Sequence, residues 1–280
     1  MTSYVEITLW GGLSAPKKET VEGAFLPDPG LSIMAANLNA PAQTFFNILS
    51  RCQTVDHLFS TIDSHYRASR GPLPQGIRYY NPTEYRIIWI AVLKQRFVVQ
   101  HEGFVFRVHH QPLDDTLPAE PDFLITIDRS INATIFSTFT KFAIDRVNLV
   151  HPITPDLLEG TFRRPVVWRM PAIGPPPHDY TFNLDLLQVC TLFEAVQLWS
   201  SNYHVINRNC FWQSRIIRTA LREIIQAQQS PGVIVIAHEP DVRGATLGKC
   251  FGLRLDPGDQ GETTTIINGY RTIYDSFQIG

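Results

Sequence analysis

The chain reads as an α+β fold: an antiparallel sheet packed on a central cysteine-bearing helix, with an N-terminal helical elaboration. Three observations predict it. Residues 86–93 (RIIWIAVL) form a nearly continuous apolar run, the mark of a strand buried on both faces. Residues 104–109 (FVFRVH) are rich in β-formers, and Gly103 opens them, so residues 84–111 read as a β-hairpin. Farther on, Phe211, Trp212, Ile216, Ile217, Ala220, Leu221, Ile224 and Ile225 recur at helical spacing behind Asn209 and Cys210.

Composition sets the outer bounds. The 280 residues are 44% hydrophobic and 18% charged, enough apolar material for a real core and too little charge for a disordered chain. A formal net charge of -2 gives no global field that would draw nucleic acid or an anionic membrane. No apolar run approaches the ~20 residues of a membrane span, and nothing near Met1 reads as a signal peptide. The four cysteines, Cys52, Cys190, Cys210 and Cys250, are widely spaced with no CxxC pair, which speaks against a disulfide scaffold or a zinc knuckle. The expectation is a cytoplasmic protein with reduced thiols, no nucleic-acid partner and no membrane span. The Asn132-Ala133-Thr134 sequon carries no meaning in that compartment. The sequence is silent on oligomeric state.

In chain order, residues 4–10 suggest a strand. Residues 41–68 are helical, with Pro41 near the first start and Thr54 as cap of a second helix. Residues 1–80 are therefore expected as an elaboration on the same body as an α+β core at 81–280. The first hairpin strand either extends through Phe97, Val98 and Val99 or is followed by an extra short strand. Residues 123–127 form a strand, and residues 131–150 fit helix or strand equally. Asn183 is expected to cap a helix over 184–199 that is apolar nearly all round and so central. Pro231-Gly232 ends the Cys210 helix. Residues 233–237, 251–255, 264–267 and 272–274 read as short strands.

Chemistry concentrates at Asn209-Cys210. With Asn209 as N-cap, Cys210 takes the first helical position, among unpaired backbone N–H groups at the positive end of the helix dipole. Both favour thiolate over thiol. A nucleophile there needs a base, usually histidine, and a group that orients the base. The bland alternative is a small buried thiol filling space at a helix start. The residues alone leave both open.

The pattern of Tyr203 followed by Asn209-Cys210-Phe211-Trp212 resembles the Asn-Cys-aromatic helix start of the circularly permuted papain-like enzymes. These include the NlpC/P60-related lecithin:retinol acyltransferase-like proteins and the PPPDE peptidases. The pattern is also similar to the Asn-Cys-Tyr/Phe-Trp motif of proteins from mushroom-forming fungi. The resemblance implies a papain-like core in which the hairpin precedes the cysteine helix, as it does here. It implies a cysteine-dependent hydrolase or acyl/peptidyl transferase acting on an amide, ester or thioester of a small-molecule or peptide substrate, with no cofactor. Cys210 would be the nucleophile, and Asn209, Gln213 and the Cys210 backbone N–H would be oxyanion donors. The family's histidine precedes a Trp in the first hairpin strand, where this chain has Ile88 before Trp89. The base would then be His109, ahead of His101. If neither reaches Cys210, the chain is a catalytically silent member of the fold that binds a ligand or a protein.

Other polar groups invite blander readings. Adjacent His109 and His110 point to opposite faces of a strand and cannot hold one metal ion together; no metal is expected. Asp114 and Asp115, with Glu120 and Asp122, read as a solvated acidic loop in preference to a Mg²⁺ site. Arg215, Arg218 and Arg222 share a helix face that is expected to be solvated, and Arg163-Arg164 add no clear site. The Gly244–Lys249 stretch lacks P-loop spacing.

Overall fold

The computed structural model describes residues 44–72, 79–94, 102–113, 118–131, 140–151, 153, 166–170, 183–200, 202–204, 209–228, 249–250, 253–254 and 260–279. Among them are six strands, β1 Tyr85–Lys94, β2 Glu102–His110, β3 Phe123–Ile131, β4 Thr140–Val150, β5 Val166–Met170 and β6 Asn202–His204. They form one sheet in the order β5-β1-β2-β3-β4-β6, and every neighbouring pair is antiparallel. The helices are α1 Phe45–Leu49, α2 Val55–Arg70, α3 Leu186–Trp199, α4 Cys210–Gln228 and α5 Gln260–Ile279. A small antiparallel pair joins β7 Lys249–Cys250 to β8 Leu253–Arg254, of which β8 lies within the stretch expected as a strand at 251–255. The fold is α+β, with the sheet packed on the cysteine-bearing helix.

The unbroken apolar run of β1 has a structural cause. The register against β2 passes from Ile87 opposite Val108 to Trp89 opposite Arg107, leaving Ile88 as a β-bulge. Tyr85, Ile87, Ile90 and Val92 join Phe104, Phe106, Val108, Phe123, Ile125 and Ile127 in the main core beneath the helices. Trp89, Ala91 and Leu93 point the other way and pack with Val105 and Leu124. Both faces are buried, so alternation disappears from the sequence.

The N-terminal helices belong to this same core. Phe45, Leu49, Val55, Leu58 and Ile62 pack in one cluster with the sheet and with α3. Thr54 caps α2 as expected, its hydroxyl accepting from the His57 N–H at 3.3 Å. The central helix α3 is largely buried, as its all-round apolarity implies. Its cap, however, is Asp185 and not Asn183. Asp185 Oδ1 accepts from Gln188 N–H at 2.8 Å, and Gln188 Oε1 accepts from Asp185 N–H at 2.9 Å, a reciprocal capping box that sets the cap at position 185, two residues past Asn183. Asn183 instead takes a left-handed conformation, φ 50°.

Two expectations resolve differently from their local appearance. Within the ambiguous 131–150 stretch, residues from Thr140 onward form β4, because β3 offers a continuous ladder from Leu124–Val150 to Ile131–Ala143. The strands expected at 264–267 and 272–274 are turns of α5. Thr263, Ile266, Ile267, Tyr270 and Phe277 are buried while Thr264, Thr265, Arg271 and Thr272 are exposed, a helical and not an alternating pattern. The expected strands at 4–10 and 233–237, Pro41, residues 97–99, the sequon and Arg163-Arg164 lie outside the described residues.

Candidate functional site

The helix start forms as its sequence dictates. Asn209 Oδ1 accepts from the N–H groups of both Phe211 and Trp212 at 3.0 Å, and its carbonyl accepts from Gln213 N–H at 3.1 Å. This places Cys210 at the first position of α4. Asn209, Cys210 and Gln213 are each at most 3% exposed.

Beneath this turn lies a row of charge that crosses four strands. Lys94 is opposite Glu102 in the β1–β2 register, with Nζ 3.4 Å from Oε1 and neither side chain exposed. One register step beyond the Gly103–Asp128 pair, Glu102 reaches the level of Arg129 on β3. Arg129 faces Asp145 on β4, with Nη1 donating to Asp145 Oδ2 at 3.1 Å and Nη2 donating to the Ser200 carbonyl. The signs alternate: Lys94 positive, Glu102 negative, Arg129 positive, Asp145 negative. The first turn of α4 closes the row from above. The Lys94 ammonium lies 4.9 Å from the Phe211 ring centroid, the Arg129 guanidinium 5.5 Å from that of Trp212, and Gln213 faces Asp145. Trp212 in turn donates its indole N–H to Glu262 Oε2 of α5 at 2.8 Å.

This setting reverses the expected character of the thiol. Backbone hydrogen bonds from Glu102 and Phe211 do favour its ionised form. Burial outweighs them, and the negative charges of Glu102 and Asp128 add to it, so the Cys210 thiol is pushed up to about 12. Being at a helix N-terminus fails to secure a thiolate because the same packing that seats the helix removes water from the sulfur.

The expected bases stand as follows. Cys210 touches β2 at its first residue, Glu102, whereas His109 is seven residues along the strand, about 23 Å away at ~3.3 Å per residue. There His109 Nδ1 lies 2.8 Å from Asp122 Oδ1, and the same carboxylate takes Arg107 at 2.7 Å. His109 thus has an orienting carboxylate but no thiol. Ile88 is six residues back from Lys94 on β1, about 20 Å by the same spacing. His101 lies outside the described residues; it is the chain neighbour of Glu102.

The remaining acidic and basic groups are structural. Glu120 accepts from the Phe45 N–H at 3.0 Å, and Asp122 holds Arg107 and His109; Asp114 and Asp115 lie outside the described residues. Among the described residues no group of three His, Cys, Asp or Glu is placed to hold a metal ion. His110 is buried while His109 is half-buried, as opposite strand faces require. On the arginine face of α4, Arg222 is exposed as expected, whereas Arg215 and Arg218 are half-buried. Arg215 approaches Glu262 at 3.9 Å, Arg218 donates to the Ser214 carbonyl, and Arg222 lies over the Trp168 ring at 5.8 Å.

Lys94, Glu102, Arg129 and Asp145 were not legible as site residues one at a time. The signal was parity: Glu102 keeps the phase of Phe104, Phe106 and Val108, and Arg129 that of Phe123, Ile125 and Ile127. No protein-family model, curated protein or solved structure matches the chain. Among the described residues no helix is long and apolar enough to cross a membrane.

Proposed function

We propose that this chain is a catalytically silent module that binds a small molecule or a protein, with the Asn209-Cys210 turn acting as the anchor of α4 on the sheet. The observation that carries this reading is the state of the sulfur. It is sealed, its thiol pushed up by burial, and set on a buried ionic row, and the carboxylate-oriented histidine, His109, is at the opposite end of β2. A nucleophilic cysteine requires the reverse: access, and a base within ~3 Å or one water. The three buried free thiols, Cys52, Cys190 and Cys210, support a reducing compartment such as the cytoplasm. The test is alkylation by iodoacetamide at pH 7.5, read residue by residue by mass spectrometry. Cys210 should react only after unfolding. Labelling of native protein at Cys210 ahead of Cys52 and Cys190 would sink the reading.

One observation favours the second reading, a cysteine-dependent hydrolase or acyl/peptidyl transferase. The backbone of Glu102 contacts Cys210, and His101 is the next residue in the chain. On this reading His101 is the base, Cys210 attacks an amide, ester or thioester carbonyl, and no cofactor takes part. Acylation by p-nitrophenyl acetate that is lost in both Cys210→Ala and His101→Ala would establish it; its absence in the native protein removes it.

A further inference from the structure

On the far side of the sheet's helix face from Cys210, the end of β2 is tied to the segment leading into β3 by a histidine whose protonation state the hydrogen bonding dictates. His110 is 2% exposed. Its Nδ1 accepts the backbone N–H of Glu120 at 2.9 Å, so Nδ1 carries no proton and the ring proton is on Nε2, 3.5 Å from Glu84 Oε2. The ring stacks on Tyr85 with centroids 4.5 Å apart and planes 12° from parallel.

The same Glu120 has a second attachment. Its carboxylate accepts the N–H of Phe45, the first residue of α1, at 3.0 and 3.2 Å. Phe45 is fully buried and packs against Tyr80, Tyr85 and His65. One residue therefore joins β2, the approach to β3 and the start of α1, and its backbone is held through an unprotonated ring nitrogen.

We propose that His110 is an acid-releasable clasp: proton uptake on its Nδ1 unseats the backbone at Glu120 and loosens the hold of the Glu120 carboxylate on the Phe45 N–H, while Thr44 still caps α1 and Asp122 stays anchored. An imidazolium has two N–H donors and no acceptor, so the Glu120 N–H loses its partner and meets another donor in a buried site. The groups that face the ring are Glu84 from the turn before β1, Tyr85 from β1 and Glu120 from the segment itself. The Glu84 carboxylate stabilises the charged ring once the proton arrives, which gives the released state a partner that the clasped state uses weakly at 3.5 Å. On the opposite face of β2, His109 and Arg107 hold Asp122 from the other side, and His151 Nδ1 lies 3.1 Å from the Asp122 carbonyl. Those contacts do not require an unprotonated Nδ1 at His109, because a carboxylate accepts from either form of the ring.

Hydrogen exchange on the full-length chain, read by mass spectrometry at pH 7.5 and 5.5 with labelling times scaled for the intrinsic pH dependence, tests this. Peptides covering Phe45 and Glu120 should lose protection at least tenfold on acidification, while peptides from α3 do not. His110→Asn keeps an acceptor near the Nδ1 position and cannot titrate, so it should abolish the loss. The double variant His109→Asn, His151→Asn should retain it. An undiminished loss in His110→Asn, its disappearance in the double variant, or no loss in the native protein would each overturn the proposal. Should His110→Asn fail to fold, the ¹⁵N shift of Nδ1 in histidine-labelled native protein decides. It must report an unprotonated nitrogen at pH 7.5 that becomes protonated over the window in which protection falls, and a protonated Nδ1 at pH 7.5 refutes the clasp.

Discussion

Lys94 and Glu102 face each other across the β1–β2 pair at 3.4 Å, and solvent reaches neither side chain. Each charge offsets much of the cost of burying the other, since a buried ion without its counterion carries a desolvation penalty of several kcal/mol. Lys94→Met should therefore destabilise the fold by about 3–5 kcal/mol in urea titrations, and Lys94→Met with Glu102→Leu should recover most of that loss. If the double variant is as unstable as the single one, the pair is not the unit that matters.

The cap of α4 gives a smaller and cleaner effect. Asn209 Oδ1 satisfies two N–H groups of the first turn in a buried site. Asn209→Ala is expected to cost about 1–2 kcal/mol, and Asn209→Ser much less, because a hydroxyl can take over one bond. Equal melting temperatures for the native protein and Asn209→Ala would contradict the assignment.

Gly103 tests the strand pair next to Cys210. A Cβ there would lie 1.7 Å from Asp128 Oδ1 and 2.8 Å from its Cγ, so the Asp128 side chain must leave its place. Gly103→Ala should destabilise by about 1–3 kcal/mol, the usual range for overpacking. Most of that should vanish in the background Asp128→Ala, which makes the double-mutant coupling the readout.

Acid dependence of global stability has a traceable contributor in Asp185. Burial pushes its carboxyl up to about 6 despite the Gln188 and Leu187 backbone hydrogen bonds and the nearby Arg86. The folded state thus holds the proton more tightly than the unfolded chain, whose carboxyl titrates near 3.8. The stabilising contribution is complete below that lower value and is lost as pH rises through about 6. Asp185→Asn keeps a good N-cap without the charge. It should be more stable than the native protein at pH 7.5, by about 3 kcal/mol at most, with the difference closing toward pH 4. A difference that is constant with pH would show that the Asp185 charge is not the cause.

The parts of the fold written in short-range patterns were legible. The hairpin, the all-apolar α3 and the Asn209-capped α4 each follow from a run or a period that needs no partner. The misreadings have a common cause. Thr263–Ile267 has the β-branched composition of a strand, and only packing against α3 and α4 makes it a helix; residues 140–150 needed the β3 ladder to become β4. The site divides the same way. Asn209 and Cys210 were visible because a cap and a first-turn thiol are local. The row of Lys94, Glu102, Arg129 and Asp145 was not, because it exists only once four strands are in register. The expected thiolate failed for that reason too, since the burial that raises the Cys210 thiol, and the Glu102 and Asp128 charges that add to it, arise only when the strands and α4 pack together.

The bulge at Ile88 has a consequence for how the chain can vary in length. Register runs from Ile87–Val108 directly to Trp89–Arg107, so Ile88 is supernumerary. Deleting it would join two regular stretches and leave Tyr85, Ile87, Ile90 and Val92 on the helix side and Trp89, Ala91 and Leu93 on the other. Removing any residue of β1 between Trp89 and Lys94 instead turns part of the strand over, bringing core side chains out or the Lys94 ammonium away from Glu102. β1 therefore contains a single position at which its length is adjustable, and that position is six residues from the buried charge it must deliver.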